Sequence, residues 1–417
     1  MNNTDTQQRA FNKLNRLKVG ALFMEMGTGK TKVALDLMAS KSRKCDLLLW
    51  ICPCSLKATI ADERAKWQPG LYLEVVGCES IGASSRIYLE TLEKVKNAKC
   101  AFIVVDESLK IKNIGAKRTQ RILNLGKLAA YKLILNGTPL TKNALDIYTQ
   151  ITFLSPKILS ESFQEFKRKY CEFYLRGDRK GQVKRCVNIP HLVSRIKPYI
   201  FDAKLDLNVL KSHSWRRYVL SPEEEYLYEK TKNDILDYCT ENDKIDFYRL
   251  VTGLYHFLYS CESKRHAVRD LLQDIGGKAV VFVKFLASIP DGALRIVGEM
   301  STEERTRAIE EFKTSDEQAL YITYGCGAFG LNLQFVNNLV FADRTWDLAQ
   351  MEQAEARIFR LGQKETEVNY YYVVTNTGLE KMLDKNLGRK TDLLKEIKNT
   401  IDTMNIQERE KWLKKHL

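Results

Sequence analysis

Residues Gly20 to Leu35 read GALFMEMGTGKTKVAL, and within them Gly27, Thr28, Gly29, Lys30 and Thr31 follow one another directly. Two glycines separated by one residue allow a tight backbone turn. Such a turn aims N–H groups inward at the positive end of the helix that TKVALDLMA predicts by its apolar spacing. A lysine at the end of the turn reaches outer phosphates, and the threonine hydroxyl beside it suits Mg²⁺. The stretch therefore has the chemistry of a phosphate-binding loop. It departs from the usual GxxxxGK(S/T) pattern at its first glycine, where this chain has Met24. That glycine shapes only the entry to the loop. The plainer alternative is a helix N-terminus that happens to spell GTGKT.

Roughly 75 residues after Lys30 comes AFIVVDESLKIKN, an apolar run that ends in two adjacent carboxylates, Asp106 and Glu107. One carboxylate at a strand end can hold Mg²⁺ through water while the next polarises an attacking water, which suits ATP hydrolysis. Alone, a DE pair is a common turn signal; its weight comes from following a phosphate loop. Further on, LILNGTPLTKN carries a buried run into Gly137, Thr138 and Pro139, where the Thr138 hydroxyl could sense the carboxylate strand beside it.

These residues need parallel strands to hold them. The runs GALFM, CDLLLWICP, LYLEVVG, CAFIVVDES and YKLILNGTP are almost continuously apolar, as for parallel strands covered on both faces. They define an α/β unit over 1–155. From 156 to 276 the pattern changes to charged helices, one of which starts at Ser221 with Glu224 three residues on, a capping-box signature. A second alternating unit follows over 277–380, with KAVVFV, ALRIVG, ALYITYG, NNLVFAD and VNYYYVV as its strands. Residues 381–417 read as a mildly basic helical brace. Only the first unit has a phosphate loop.

With 44% hydrophobic and 28% charged residues the composition is that of an ordinary globular chain, and its length suggests more than one domain. No apolar run approaches the roughly 18 residues of a membrane span, and the first residues are polar. The expected location is the cytoplasm. Ten cysteines occur without any CxxC pair, so they read as free thiols in a reducing compartment. The net charge of +14 points to a polyanionic partner. Between Glu165 and Arg217 there are 14 Lys/Arg against 5 Asp/Glu, interleaved with Phe166, Tyr170, Phe173, Tyr174, Tyr199, Phe201, Trp215 and Tyr218. This segment is either a basic nucleic-acid grip, with Arg179, Lys180, Lys184 and Arg185 at its centre, or a solvated helical insert whose aromatics form a local core.

In order, MGTGKT, DESLKIKN, NGTPLTKN, GAFGLNLQ, DRTWD and QAEARIFRLGQ resemble the signatures of the Swi/Snf branch of the superfamily-two helicases and translocases. The resemblance spans roughly Gln7 to Glu380, and its wording is that of a compact prokaryotic or phage-type member. It implies two RecA-like lobes separated by a basic helical insert, with ATP in the cleft, Mg²⁺ as cofactor and duplex DNA as sequence-independent partner. It implies that Gly27, Thr28, Gly29, Lys30 and Thr31 bind the phosphates and metal, that Asp106 holds the metal and that Glu107 is the catalytic base. Gln8, or its neighbour Gln7, falls where the family reads adenine. Gly330 and Gln353 join the nucleotide site, and Arg357 and Arg360 are the arginines that reach the γ-phosphate; their spacing of three is expected to put both on one face of a helix. Lys112, Asn113 and Thr138 match coupling positions. Pro53, Ser55, Lys57, Ser84, Lys284, Asn332 and Trp346 match positions that contact DNA.

Two departures stand out. Leu109 occupies the place of the histidine in DEAH-like boxes, which leaves open how tightly hydrolysis is linked to movement. Ala356 replaces the glycine or acid common before the first arginine. Neither removes a phosphate-contacting group. The expected function is DNA-dependent ATP hydrolysis driving translocation along double-stranded DNA by a monomer, with a replication, repair or transcription protein as further partner. Two other readings stay open: a helicase or fork-remodelling enzyme, and a nucleotide-gated DNA-binding or recruitment factor with little turnover.

Overall fold

The computed structural model of the chain describes residues 3–137, 144–174, 181, 183–241, 247–327, 331–345 and 347–389. The chain divides into two compact units, Met1–Asp206 and Leu207–Leu417.

The first unit is built on a six-stranded sheet. Its strands are β1 (Val19–Met24), β2 (Leu47–Cys52), β3 (Glu74–Gly77), β4 (Ala101–Val105), β5 (Tyr131–Asn136) and, further along the chain, β8 (Ile200–Ala203). A short antiparallel hairpin, β6 (Cys171–Phe173) with β7 (Val183–Cys186), lies apart from it. The order across the sheet is β3-β2-β4-β5-β1-β8, with every neighbour parallel. LLLWIC and AFIVV are buried at every position because both sheet faces are covered. Leu49, Ile51, Ile103 and Val105 face one apolar layer, while Leu48, Trp50, Val104 and Leu133 face the other. Since all strands run the same way, Met24, Cys52, Gly77, Val105 and Asn136 end at one edge of the sheet.

The second unit repeats the plan. Its strands are β9 (Leu210–Tyr218), β10 (Ala279–Val283), β11 (Arg295–Ile296), β12 (Ala319–Thr323), β13 (Asn338–Phe341) and β14 (Glu367–Thr375). They lie in the order β11-β12-β10-β13-β14-β9, again parallel. Each unit is a RecA-like lobe, a parallel sheet flanked by helices.

The segment 156–276 does not stand as a body of its own. Phe166 and Tyr170 are fully buried in the core of the first unit, and Phe201 joins that unit's opposite apolar layer. Tyr218, Val268, Leu271 and Leu272 belong to the core of the second. Several of its aromatics are therefore structural, while Trp215 and Tyr226 stay largely bare, at 60% and 68% exposure. The segment also supplies four strands, β6 to β9, where the sequence suggests helix. The expected helix at Ser221 forms over Pro222–Glu241, with Ser221 and Glu224 exchanging the two bonds of a capping box. Among the described residues no helix is long and apolar enough to cross a membrane, and nine cysteines are free.

Candidate functional site

The loop after β1 turns on two glycines in the left-handed region, Gly27 at φ 81° and Gly29 at φ 84°. Gly29 caps the helix Lys30–Lys41, which carries Lys30 and Thr31 as its first two residues. Met24, at the place of the missing first glycine, is the buried last residue of β1 and pairs in register with Ala203. An extended strand end needs no glycine, which accounts for the departure. The Thr28 hydroxyl donates to the Glu25 carbonyl at 2.7 Å, and the Lys30 ammonium donates to the same oxygen at 3.3 Å. A Cβ at Gly137, just beyond β5, would stand 3.8 Å from Lys30 Nζ. The lysine thus reaches from the β1 loop to the end of the neighbouring strand.

Gln7, not Gln8, lies against this loop. Its Nε2 donates to the Thr28 carbonyl at 3.1 Å, and its Oε1 accepts from the Thr4 amide at 3.1 Å in a capping box. Gln8 faces solvent and donates to Asn12. The helix Asp5–Leu14 buries Gln7, Ala10 and Leu14 on one face, so position 8 points away.

Asp106 and Glu107 directly follow β4, one strand from β5 and two from β1. Burial and the neighbouring Glu107 carboxylate push the Asp106 carboxyl up to about 7, against the pull of the Lys30 ammonium. Asp106 Oδ1 accepts from the Glu107 amide at 2.9 Å. Glu107 itself sits in the left-handed region at φ 50°, ψ 54°, a conformation that costs a non-glycine residue on the order of 1 kcal/mol or more. Strain held at a strand-end carboxylate beside a phosphate loop is a mark of a working site.

The turn that follows is tied down by residues that the sequence did not single out. Ser108 donates to Gln150 Oε1 at 2.6 Å in a buried contact, and Gln150 Nε2 donates to the Asp146 carbonyl. Lys112 forms an ion pair with Asp146 at 3.6 Å, and Asn113 accepts from the Gly115 amide as a turn cap. The helix Leu145–Leu154, which follows the NGTP stretch, is thereby bound to the segment after the carboxylates. Its polar residues read as helix filler in one dimension, and only their burial reveals them. Thr138 lies outside the described residues.

Of the DNA candidates of this unit, Pro53, Ser55 and Lys57 follow β2 at the same sheet edge, while Ser84 lies one helix beyond β3 rather than at its end, and Lys184 and Arg185 lie on the separate hairpin. Pro53 is buried directly after β2, Ser55 is half-buried, and Lys57 is exposed at the start of the helix Lys57–Trp67. Ser84 caps the helix Ser85–Asn97, and Arg121 donates to the carbonyls of Ile81 and Ser84 around that turn. Lys184 is exposed on β7, while Arg185 is held by a two-pronged bond to Glu172. Arg179 and Lys180 lie outside the described residues.

In the second unit Gln353 is half-buried on the helix Leu348–Glu355. That helix ends before the arginines. Arg357 and Arg360 stand in turns, with Ile358 and Phe359 buried between them, so their spacing of three does not set them on a helix face. The cause is local: Arg357 N bonds to Ala354 O and Gln363 N to Arg360 O, and Gly362 at φ 98° turns the chain away. Gln363 fastens this turn by donating to the carbonyls of Val336 and Ile358. Lys284 is half-buried with its ammonium pKa lowered by burial, and its amide donates to Asp343, which also pairs with the buried Lys264. Asn332 is exposed. Gly330 and Trp346 lie outside the described residues, as do residues 390–417 of the expected brace.

Two family models match the chain, the SNF2-related domain over residues 11–256 and the helicase conserved C-terminal domain over 263–362. A Caenorhabditis elegans homolog of the SWI/SNF-related matrix-associated actin-dependent regulator of chromatin subfamily A-like protein 1 is 24% identical, across 91% of this chain and 59% of its own. The DNA annealing helicase and endonuclease ZRANB3 of Bos taurus is 25% identical, across 88% of this chain and 38% of its own. The putative ATP-dependent helicase/translocase YwqA of Bacillus subtilis is 24% identical, across 76% and 38%. The chain thus spans roughly two to three fifths of the length of these curated relatives. The SWI2/SNF2 ATPase core of Sulfolobus solfataricus, solved in complex with double-stranded DNA, is 22% identical with a TM-score of 0.45, covering 99% of this chain and 97% of that one. With the first family model alone matching more than half of its residues, the chain belongs to the SNF2-related family of helicase-like ATPases.

Proposed function

We propose that the chain hydrolyses ATP in response to DNA and uses the reaction to move along double-stranded DNA. The observation that carries this reading is the meeting of Lys30, Asp106 and the strained Glu107 at the C-terminal edge of one parallel sheet, where open α/β sheets take their ligands. The loop amides and Lys30 hold the phosphates, and Glu107 accepts a proton from the attacking water. Arg357 and Arg360 are the candidates for offsetting the negative charge of the transferring phosphoryl group, a role worth on the order of 10³–10⁵ in rate. Gln7 replaces Gln8 as the residue that reads the base.

The residues fit Mg²⁺. Asp106 is a buried carboxyl next to a second one, so a cation beside it favours its ionised form, and the Thr31 hydroxyl is one residue from Lys30. Magnesium needs few protein ligands because it keeps waters and substrate phosphates, and when bound it neutralises charge between the outer phosphates. For the DNA track, support comes from the positive net charge, from Pro53, Ser55 and Lys57 following β2 at the same sheet edge, and from relatives named as helicases or translocases.

The test is steady-state ATP hydrolysis at one fixed salt concentration with no nucleic acid, single-stranded DNA, linear duplex, forked DNA and duplex RNA. Strong stimulation by linear duplex together with displacement of a triplex strand is the expected result. Preference for forked DNA moves the reading to fork remodelling. Stimulation by none of them means a recruitment role.

A further inference from the structure

Strand β9 is the outer strand of the second sheet, LKSHSWRRY, with three cations and no acid. Its odd positions, Lys211, His213, Trp215 and Arg217, share one face by the period of two and are all exposed. That face is backed by rings. Trp215 stacks on Tyr372 of β14 with centroids 5.5 Å apart and planes 22° apart, and Tyr372 stacks on Phe341 of β13 at 5.0 Å and 15°. His213 stacks on Tyr370 at 5.0 Å and 23°, and its Nδ1 is 3.1 Å from the Tyr372 hydroxyl, which donates to Glu355. Lys211 lies over the Phe359 ring at 3.9 Å. Glu355, which accepts from Tyr372, is pushed up by burial and pulled down by the charge of Lys211.

Basic residues alone on an edge strand guard against pairing with other sheets. They do not account for an indole left 60% exposed among them, flat against a ladder of buried rings. A ring fixed in plane by stacking from below, with cations on either side along the strand, is a platform for an unpaired base with its phosphates. Paired bases keep their faces inside the duplex and cannot use it.

We propose that this β9 face binds single-stranded nucleic acid, with a base stacked on Trp215 and phosphates on Lys211 and Arg217. The proposal rests on the reading of the chain as a DNA-acting ATPase and adds a second, strand-specific contact to it. It gives the protein a means to hold an unpaired strand.

The experiment compares the full-length protein with Trp215→Ala, Trp215→Phe and Lys211→Ala/Arg217→Ala for binding of a labelled oligo-dT and a blunt duplex, by anisotropy over a salt series. Melting curves establish that each variant is folded. Trp215→Ala is expected to weaken oligo-dT binding about tenfold or more and Trp215→Phe to restore most of it. The double variant is expected to flatten the salt dependence for oligo-dT. Duplex affinity should hold within about twofold in all three. Equal losses for both ligands, or none for either, overturn the proposal and leave the face to protein contact. If the unmodified protein binds duplex and not oligo-dT, the inference fails while the translocase reading stands. If it binds neither, both fail.

Discussion

Gln7 and Gly29 approach so closely that a Cβ at position 29 would lie 2.2 Å from Gln7 Nε2. Gly29 is therefore required twice, once by its φ of 84° and once by the carboxamide that bonds to Thr28. Gly29→Ala should lower the melting temperature of the first unit, by about 2–4 °C for each kcal/mol lost in a unit of this size. Adding Gln7→Ala removes the clash but not the backbone strain, so the double variant should melt above the sum of the two single losses. Strict additivity in this cycle would mean that the contact carries no energy.

Glu107 holds its place through its backbone, whose amide donates to Asp106, so exchange of its carboxylate for an amide leaves the turn intact. Glu107→Gln should bind nucleotide as the parent does and lose about 10²–10⁴ in turnover, the usual range for a general base. Direct nucleotide titration beside steady-state hydrolysis separates the two effects. Turnover at the parent rate would assign the base elsewhere.

The main motifs were legible in one dimension because their chemistry is local. A glycine turn before Lys30 and an apolar run ending in Asp106-Glu107 specify strand, loop and site together, and all ten strands read from apolar runs formed. The strands β6 to β9 were not legible: β6, β7 and β8 have three or four residues each, and β9 buries only Tyr218 while its other positions meet solvent or half-solvent, so none shows an apolar run. Arg357 and Arg360 do not share a helix face, because the helix Leu348–Glu355 gives way to turns that Gly362 at φ 98° diverts. The choice of Gln7 over Gln8 depends on which face of a helix is covered, and neighbouring glutamines carry no sign of that.

Asp106 links the site to pH. Its carboxyl is raised from 3.8 to about 7 in the folded chain, so between those values the native state holds a proton that the unfolded state has lost. Stability from this group is then greatest at low pH and falls as pH rises towards 7, above which the charge is buried and the loss is complete. Asp106→Asn should raise the melting temperature of the nucleotide-free protein at pH 8 and change it much less at pH 5. A variant that melts lower than the parent at pH 8 would show that the charged carboxylate is not a burden.

Lys112 and Gln150 offer a way to separate chemistry from its control. Lys112 is partly exposed, so its ion pair with Asp146 contributes little to stability, about 0–1 kcal/mol. Gln150 is buried, and its loss leaves the Ser108 hydroxyl without that partner at a cost of about 1–3 kcal/mol. Both tie the helix Leu145–Leu154 to the turn that carries Glu107. If this tie transmits DNA binding to the carboxylates, Lys112→Ala should reduce the ratio of DNA-stimulated to unstimulated ATP hydrolysis several-fold at unchanged melting temperature. Gln150→Ala should lower that ratio and the melting temperature together. Measured side by side, a Lys112→Ala protein with the parent's ratio would confine the tie to stability, because the ion pair is the contact whose removal leaves the fold undisturbed.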